Sequence, residues 1–425
     1  MAEMTLPTLR EGWIWASLSE LCERVSVGHV GPTTEYFCSK ETGVPFVRSQ
    51  DVRPGKLHLG EVAHVRQEFH NKLKKSKLRA GDILIVRVGA NRGDSCVVPK
   101  DVGEVNCANI VFARPIFPNG FLGFYFRSPF GQQMLLSLTT GAAQGVLNTQ
   151  DIARLPVPCP PLITQERVAS ILSAYDDLIE NNTRRIQILE DMGRRLYEEW
   201  FVRFRFPGHE NVKMVESQLG LIPEGWEIST VAETFDVLGG GTPSTSVEEY
   251  WHDGSINWYA PTDLTRSGQV FIDESGDKIT QLGLAKSSAR MFPPFSVMMT
   301  SRATLGVIAI NTTEACTNQG FINCIPSERL PLYVQFHWLK QNVGLFISLA
   351  TGATFKEITK GNFKQIKLIL PAAILINRFQ NLVEPMMQQL LNLQRKNSNL
   401  RRTRDLLLPK LISGEIDVSN FPEPE

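Results

Sequence analysis

The chain has 425 residues, with 44 Lys+Arg against 44 Asp+Glu, 42% hydrophobic and 21% charged residues. That length exceeds one ordinary domain, and the charge balance argues against a bulk polycation while leaving local basic faces open. Seven cysteines without a CxxC pair argue against a zinc knuckle or a disulfide framework and point to a reducing, cytoplasmic setting.

The opening MAEMTLPTLREGW has no apolar core, so no signal peptide is expected. The most apolar run, residues 368–376, carries Pro371 and is far shorter than the ~20 residues that span a bilayer. Short β-like runs follow one another at 44–47, 83–88 and 110–113, punctuated by Gly, Pro, Asn and Asp. A proline-rich boundary at 156–161 ends this region.

Residues 164–203 then read as one long helix. Leu172, Ile179, Ile186 and Gly193 are spaced by seven, and Tyr175, Asn182, Leu189 and Leu196 lie three residues on. Such a narrow a/d seam suits pairing with another long helix. The chain then repeats itself. Glu11-Gly12-Trp13 returns as Glu224-Gly225-Trp226, residues 44–52 as 256–264, Ala90-x-x-Gly93 as Ala303-x-x-Gly306, Cys107-Ala108-Asn109 as Cys316-Thr317-Asn318, and Thr140-Gly141-Ala142 as Thr351-Gly352-Ala353. Five echoes in one order, at offsets of 209 to 213, imply tandem duplication of a whole unit.

The second unit has β-like runs at 256–259, 297–300 and 306–310, a boundary at Pro371, and a second long helix. Its seam is Val383, Leu390 and Asn397 on one line and Met386, Leu393, Leu400 and Leu407 on the other. Asn377 with Gln380 reads as a capping box, and Pro385 as a kink or the first turn of the long part. The two long helices are expected to pair antiparallel as a rigid spacer about 60 Å long, with Asn182 and Asn397 setting register.

No GxGxxG, P-loop, HExxH or GxSxG pattern occurs, and the seven histidines are scattered. Phe292-Pro293-Pro294-Phe295 resembles the loop of adenine N6-methyltransferases, but Phe292 cannot accept the amino hydrogens, so the segment reads as a turn. What remains is a set of groups suited to phosphates and base edges. In the first half these are Arg48, Gln50 and Arg53, the basic run with Lys72, Lys74, Lys75 and Lys77, and Arg87, Asn91 and Arg92. In the second they are Gly240, Gly241, Thr242 and Ser244, whose loop is expected to expose backbone amides, with Thr262, Ser301, Arg302, Thr304, Gln319 and Lys356. Two copies of one scaffold with diverged loops suit the reading of two different short sequences.

The layout resembles the specificity (S) subunit of Type I restriction–modification systems over essentially the whole chain. The resemblance rests on LLLPKLISGEIDV at 406–418, EEWFVRFRFPG at 198–208, Pro161-Leu162-x-x-Gln165-Glu166-Arg167, the Glu-Gly-Trp openings, and Gly-Gly-Thr-Pro-Ser at 240–244. The first half departs with VGHVGP at 27–32, and the second helix entry lacks the Gln-Glu pair. The resemblance implies an α+β chain. Two similar mixed α/β target-recognition domains, at 1–158 and 209–370, are separated by two antiparallel coiled-coil spacer helices, at 159–208 and 371–425 with the tail, in a pseudo-two-fold tandem repeat. It also implies a non-catalytic, DNA-binding subunit of a cytoplasmic system that defends against foreign DNA. Each recognition domain would read one half of an asymmetric bipartite site in double-stranded DNA. Two methyltransferase (M) subunits would dock and methylate adenine N6, with S-adenosylmethionine bound by them and no cofactor in this chain. Two motor-nuclease restriction (R) subunits join where restriction is present; no membrane is involved.

Overall fold

A computed structural model describes residues 6–138, 145–352 and 356–421. Thr140-Gly141-Ala142 and Ala353, members of the last sequence echo, lie outside the described residues. The fold is α+β. Two compact units form: Met1–Ile179 with Asn399–Glu425, and Glu180–Ser398.

In the first unit, a four-stranded sheet runs in the order Cys22–Val27, Ile110–Pro115, Ile83–Val86, Ser95–Val97. A second sheet runs Asn106–Cys107, Gly43–Val47, Ala63–Arg66, Phe37–Cys38, its first two strands parallel. The second unit repeats both. Its main sheet runs Asp236–Gly239, Phe321–Ile325, Val297–Thr300, Ile308–Asn311, Phe271–Ile272, and its smaller one Asp277–Ile279, Ile256–Tyr259, Ala315–Thr317. Even the register repeats. Trp15 pairs with Pro158 and Ile228 with Ile369 in the short antiparallel ladder that closes each domain. The predicted strand at 83–88 is trimmed to Ile83–Val86 and that at 306–310 is shifted to Ile308–Asn311, because Gly89, Gly93 and Gly306 adopt positive φ in the intervening hairpins.

The central strands are buried on both faces, as Ile83, Leu84, Ile85 and Val86 show, and Val297 to Thr300 likewise. That explains why they read as continuous apolar runs rather than as alternation.

The first long helix is Leu162–Tyr197, and it enters from Pro161, whose carbonyl accepts from the Thr164 and Gln165 amides. The Gln165 side chain also donates to the Pro160 carbonyl at 2.9 Å. The expected continuation to residue 203 is replaced by a wider π turn, Glu198–Val202. The extra residue in that turn re-aims Trp200 and Phe201 into the core of the second unit. Leu172, Ile179 and Asn182 are buried on this helix, and Tyr175, Ile186, Leu189 and Leu196 half-buried.

The second long helix is Ala373–Ile412. It starts four residues before the expected cap, so Asn377 lies inside it, and Gln380 instead accepts from the Tyr333 amide at 3.0 Å. Pro385 sits in the helix interior and not in its first turn. Proline leaves the carbonyl four residues earlier unpaired, and the exposed stretch around Asn381, Leu382 and Glu384 lets water satisfy it. The buried line is Val383, Met387, Leu390, Gln394, Asn397, Leu408 and Leu411. Leu393 is also buried, whereas Met386, Leu400 and Leu407 are only half-buried, one position off this line.

Pairing is antiparallel in each unit. In the first, Asp176 meets Arg404 at 2.6 Å and Arg167 donates to the Ser419 carbonyl at 2.6 Å. In the second, the Asn182 amide donates to Asn397 Oδ1 at 3.0 Å. The C-terminal tail packs into the first unit, where Val418 is buried in the apolar core and Arg10 bonds Asp417 at 2.6 Å. Among the described residues no helix is long and apolar enough to cross a membrane.

Candidate nucleic-acid interface

Each domain exposes its loops from a frame that its own backbone stitches together. In the second unit the Gly241 amide donates to Thr317 O at 2.8 Å, Asn318 N to Tyr259 O at 3.0 Å, Ser301 N to Gly320 O at 2.8 Å, and Ile358 N to Ser301 O at 3.0 Å. Four segments far apart in sequence (240–244, 317–320, 300–307 and 356–358) are thereby brought together. The first unit repeats three of the links, His29 N to Cys107 O at 2.9 Å, Ala108 N to Val47 O at 2.9 Å and Leu147 N to Arg87 O at 3.0 Å.

One capping device is common to both. Asp51 Oδ2 accepts the Arg48 amide at 2.7 Å, and Asp263 Oδ2 accepts the Ala260 amide at 2.8 Å. Each carboxylate closes a short turn that carries candidate readers. Burial pushes the Asp51 carboxyl up, against the hydrogen bond from the Arg48 amide and the Arg48 and Arg53 charges.

Gly28 and Gly240 occupy matching places where a side chain has no room. A Cβ on Gly28 would meet Cys107 O at 2.5 Å, and one on Gly240 would fall on the carbonyls of Thr317 and Asn318. These glycines serve close backbone approach. The expectation that the Gly240–Ser244 loop offers free amides is corrected at Gly241, which is buried with its N–H already donated. Two indoles cinch the same loop: Trp258 Nε1 donates to Gly241 O at 2.9 Å and Trp251 Nε1 to Ser244 O at 3.0 Å. The Thr242 hydroxyl donates to Gln319 Oε1 at 2.6 Å, so two predicted residues 77 apart in sequence meet.

Among the other candidates of the second unit, Thr262, Arg302, Thr304, Gln319, Ser244 and Lys356 are exposed. Ser301 is not: it is 2% exposed, its backbone being consumed by the frame. In the first unit Gln50, Lys72, Lys74 and Lys75 are exposed. Lys77 is half-buried and engaged at the surface, bonding Asn71 at 3.4 Å and lying 3.9 Å from Glu104. Arg48 lies 5.9 Å over the Phe37 ring, Arg53 donates to the Val52 carbonyl at 2.8 Å, and Arg92 to the Gly145 carbonyl at 2.6 Å. Arg87 and Asn91 are half-buried on the same hairpin as Arg92. Glu357 was absent from the sequence-based set; it stands beside Arg302, with Arg302 Nε 3.9 Å from its Oε2. Only its position next to Lys356, after the Thr-Gly-Ala echo, hinted at it.

Among the described residues no three His, Cys, Asp or Glu side chains converge as metal ligands. All seven cysteines are free, and burial pushes the Cys22, Cys96 and Cys316 thiols up to about 12, which leaves them unreactive near neutrality.

The chain matches a family model described as the Type I restriction modification DNA specificity domain over residues 10–191 and 223–377. It is 24% identical over 445 residues to the Type I restriction enzyme HindI specificity subunit of Haemophilus influenzae, covering 88% of this chain and 94% of that one. It is 29% identical over 194 residues to the MjaIX specificity subunit of Methanocaldococcus jannaschii, a match that spans 44% of each chain. The crystal structure of a Type I restriction–modification S subunit from M. genitalium shares the fold, with a TM-score of 0.61 at 16% identity, covering 95% of this chain and 98% of that one. With the family model matching both repeats, the chain belongs to the Type I restriction–modification DNA specificity subunits.

Proposed function

We propose that this chain reads an asymmetric, bipartite sequence in double-stranded DNA, one half-site per recognition domain, as the non-catalytic subunit of a cytoplasmic complex. The recognition domains are assigned to 1–158 and 209–370, and the spacers to 159–208 and 371–425. Two methyltransferase subunits dock on the chain, bind S-adenosylmethionine and methylate adenine N6; the target base leaves the stack for their pocket. Motor-nuclease subunits join through them.

The observation that carries this reading is a repeated frame with diverged tips. The Asp51 and Asp263 caps, the Gly28 and Gly240 contacts and the closing ladders coincide. The side chains at the loop ends differ, with half-buried Arg87 and Val88 standing where the second unit has buried Ser301 and exposed Arg302. A common scaffold with different edge chemistry is what reading two unlike half-sites requires.

The test is a domain exchange in the assembled complex, followed by sequencing of methylated adenines. Replacing 209–370 changes one half-site and leaves the other intact, and a four-residue insertion in one long helix changes only the gap. An exchange that alters both halves, or neither, refutes the reading. Methyl transfer to DNA by the purified chain alone refutes its non-catalytic role.

A further inference from the structure

In each unit, the hairpin beyond the central strand and the loop that closes the domain meet at the same backbone hydrogen bond, Leu147 N to Arg87 O and Ile358 N to Ser301 O, both at 3.0 Å. The next hairpin residue and the preceding loop residue therefore correspond: Val88 and Val146 in the first unit, Arg302 and Glu357 in the second. The valines offer no polar group to a ligand. The second unit places a guanidinium and a carboxylate there instead.

The geometry of that pair is specific. Arg302 and Glu357 face each other across an antiparallel bridge. Glu357 is anchored at both ends of its peptide, its N–H donating to Thr351 O at 2.8 Å and its carbonyl accepting from Thr351 N at 3.0 Å. The hairpin is held by Ala303 at φ 59° and Gly306 at φ 91°. The carboxylate approaches Arg302 at Nε, at 3.9 Å, too far for a hydrogen bond but close enough for attraction. Among the described residues the terminal nitrogens of Arg302 have no hydrogen-bond partner, and its side chain is 51% exposed.

A carboxylate at Nε biases the guanidinium to leave its fork of terminal nitrogens for a ligand, on a side chain that is half exposed. That fork matches O6 and N7 of guanine in the major groove. A phosphate suits the place less well, because the Glu357 charge beside the guanidinium repels it.

We propose that Arg302 reads a guanine in the half-site of the second domain and that Glu357 is its positioning residue, setting specificity at that base pair. The proposal rests on the DNA-reading function above and adds which side chains select one base.

The test uses the full chain with its methyltransferase partner, comparing methylated-adenine maps for wild type, R302A, E357Q and E357D. Arg302→Ala relaxes one G·C position of the second half-site by on the order of 10- to 100-fold, the worth of one bidentate base contact. Glu357→Gln relaxes the same position, and Glu357→Asp restores part of the discrimination. First-half-site selection persists in every variant, which shows that the complex is folded and assembled. The proposal is overturned by a wild-type motif lacking G·C in the second half-site, or by Glu357→Gln leaving that position unchanged. It is also overturned if Arg302→Ala weakens binding evenly across sequences and lowers the salt slope by about 1, the signature of a phosphate contact. A wild-type complex without any bipartite motif refutes the DNA-reading function itself, so the two failures are distinct.

Discussion

Asn182 and Asn397 form a polar pair in a largely apolar seam, 8% and 2% exposed. Asn182 Nδ2 donates to Asn397 Oδ1 at 3.0 Å, and Asn397 Nδ2 donates to the Thr183 hydroxyl at 3.2 Å. Replacing one amide by leucine removes a hydrogen bond and strands its partner's polar atom away from water, a cost of about 1–3 kcal/mol. Replacing both leaves no stranded amide and adds apolar contact, so the double variant N182L/N397L should be close to neutral. With each single near 1.5 kcal/mol and the double near zero, the coupling is on the order of 3 kcal/mol. Hydrogen exchange of amides in 180–197 and 373–398 reads local opening of this helix pair without requiring two-state unfolding of a long chain. Single variants that destabilise the helices and a double variant that recovers protection bear out the reasoning. Additive losses, with the double variant worst, refute it and reassign the pair to independent contacts.

Asp176 lies between Arg127 and Arg404, at 2.6 Å from each. Burial pushes its carboxyl up, but the two guanidiniums outweigh this and hold it below its ordinary 3.8. Its contribution is thus fully present above about pH 4 and is lost as pH falls through the lowered value. Asp176→Ala should cost the first unit about 2–4 kcal/mol in urea unfolding, because it strands the largely buried Arg127 and leaves Arg404 to Asp405, and Asp176→Asn should remove that acid-side pH dependence. His337 is buried between Tyr197 and Phe379, with ring centroids at 5.8 and 5.9 Å, and burial holds it down at about 3. The folded state resists protonation that the unfolded chain accepts, so stability of the second unit should be full above 6.5 and fall as pH drops toward 3. His337→Leu should flatten that slope in pH-dependent thermal melts. Gly240→Ala should force backbone apart at Thr317 and Asn318, costing about 1–3 kcal/mol and blurring the second half-site alone in a methylation map.

The repeat and the helices were legible in the sequence for a physical reason. Burial against one partner imposes a period, and seven-residue spacing exposes a seam before any contact is known. Along the first helix the expected seam joins buried Leu172, Ile179 and Asn182 to half-buried Tyr175, Ile186, Leu189 and Leu196. On the second helix Val383, Leu390, Leu393 and Asn397 of the expected seam are buried, but Met386, Leu400 and Leu407 are half-buried because the buried line passes instead through Met387, Gln394 and Leu408. Gln394 makes that line look broken, whereas Met386, Leu393, Leu400 and Leu407 look continuous. Only tertiary structure shows why glutamine is tolerated there: Gln394 Oε1 accepts the buried Phe271 amide at 3.3 Å.

The candidate readers divide in the same way. Their residue types and their place at loop ends followed from composition and from the echoed frame. Which of them face outward depended on contacts between segments remote in sequence. Gly241 and Ser301 looked available and are consumed by Thr317, Gly320 and Ile358. Glu357 looked incidental and stands against Arg302. Periodicity and repetition are written locally along the chain, so sequence by itself determined the tandem architecture and its helices. Loop side chains acquire their roles from neighbours that only folding delivers, so the tertiary structure alone decided which groups remain free to meet a base edge.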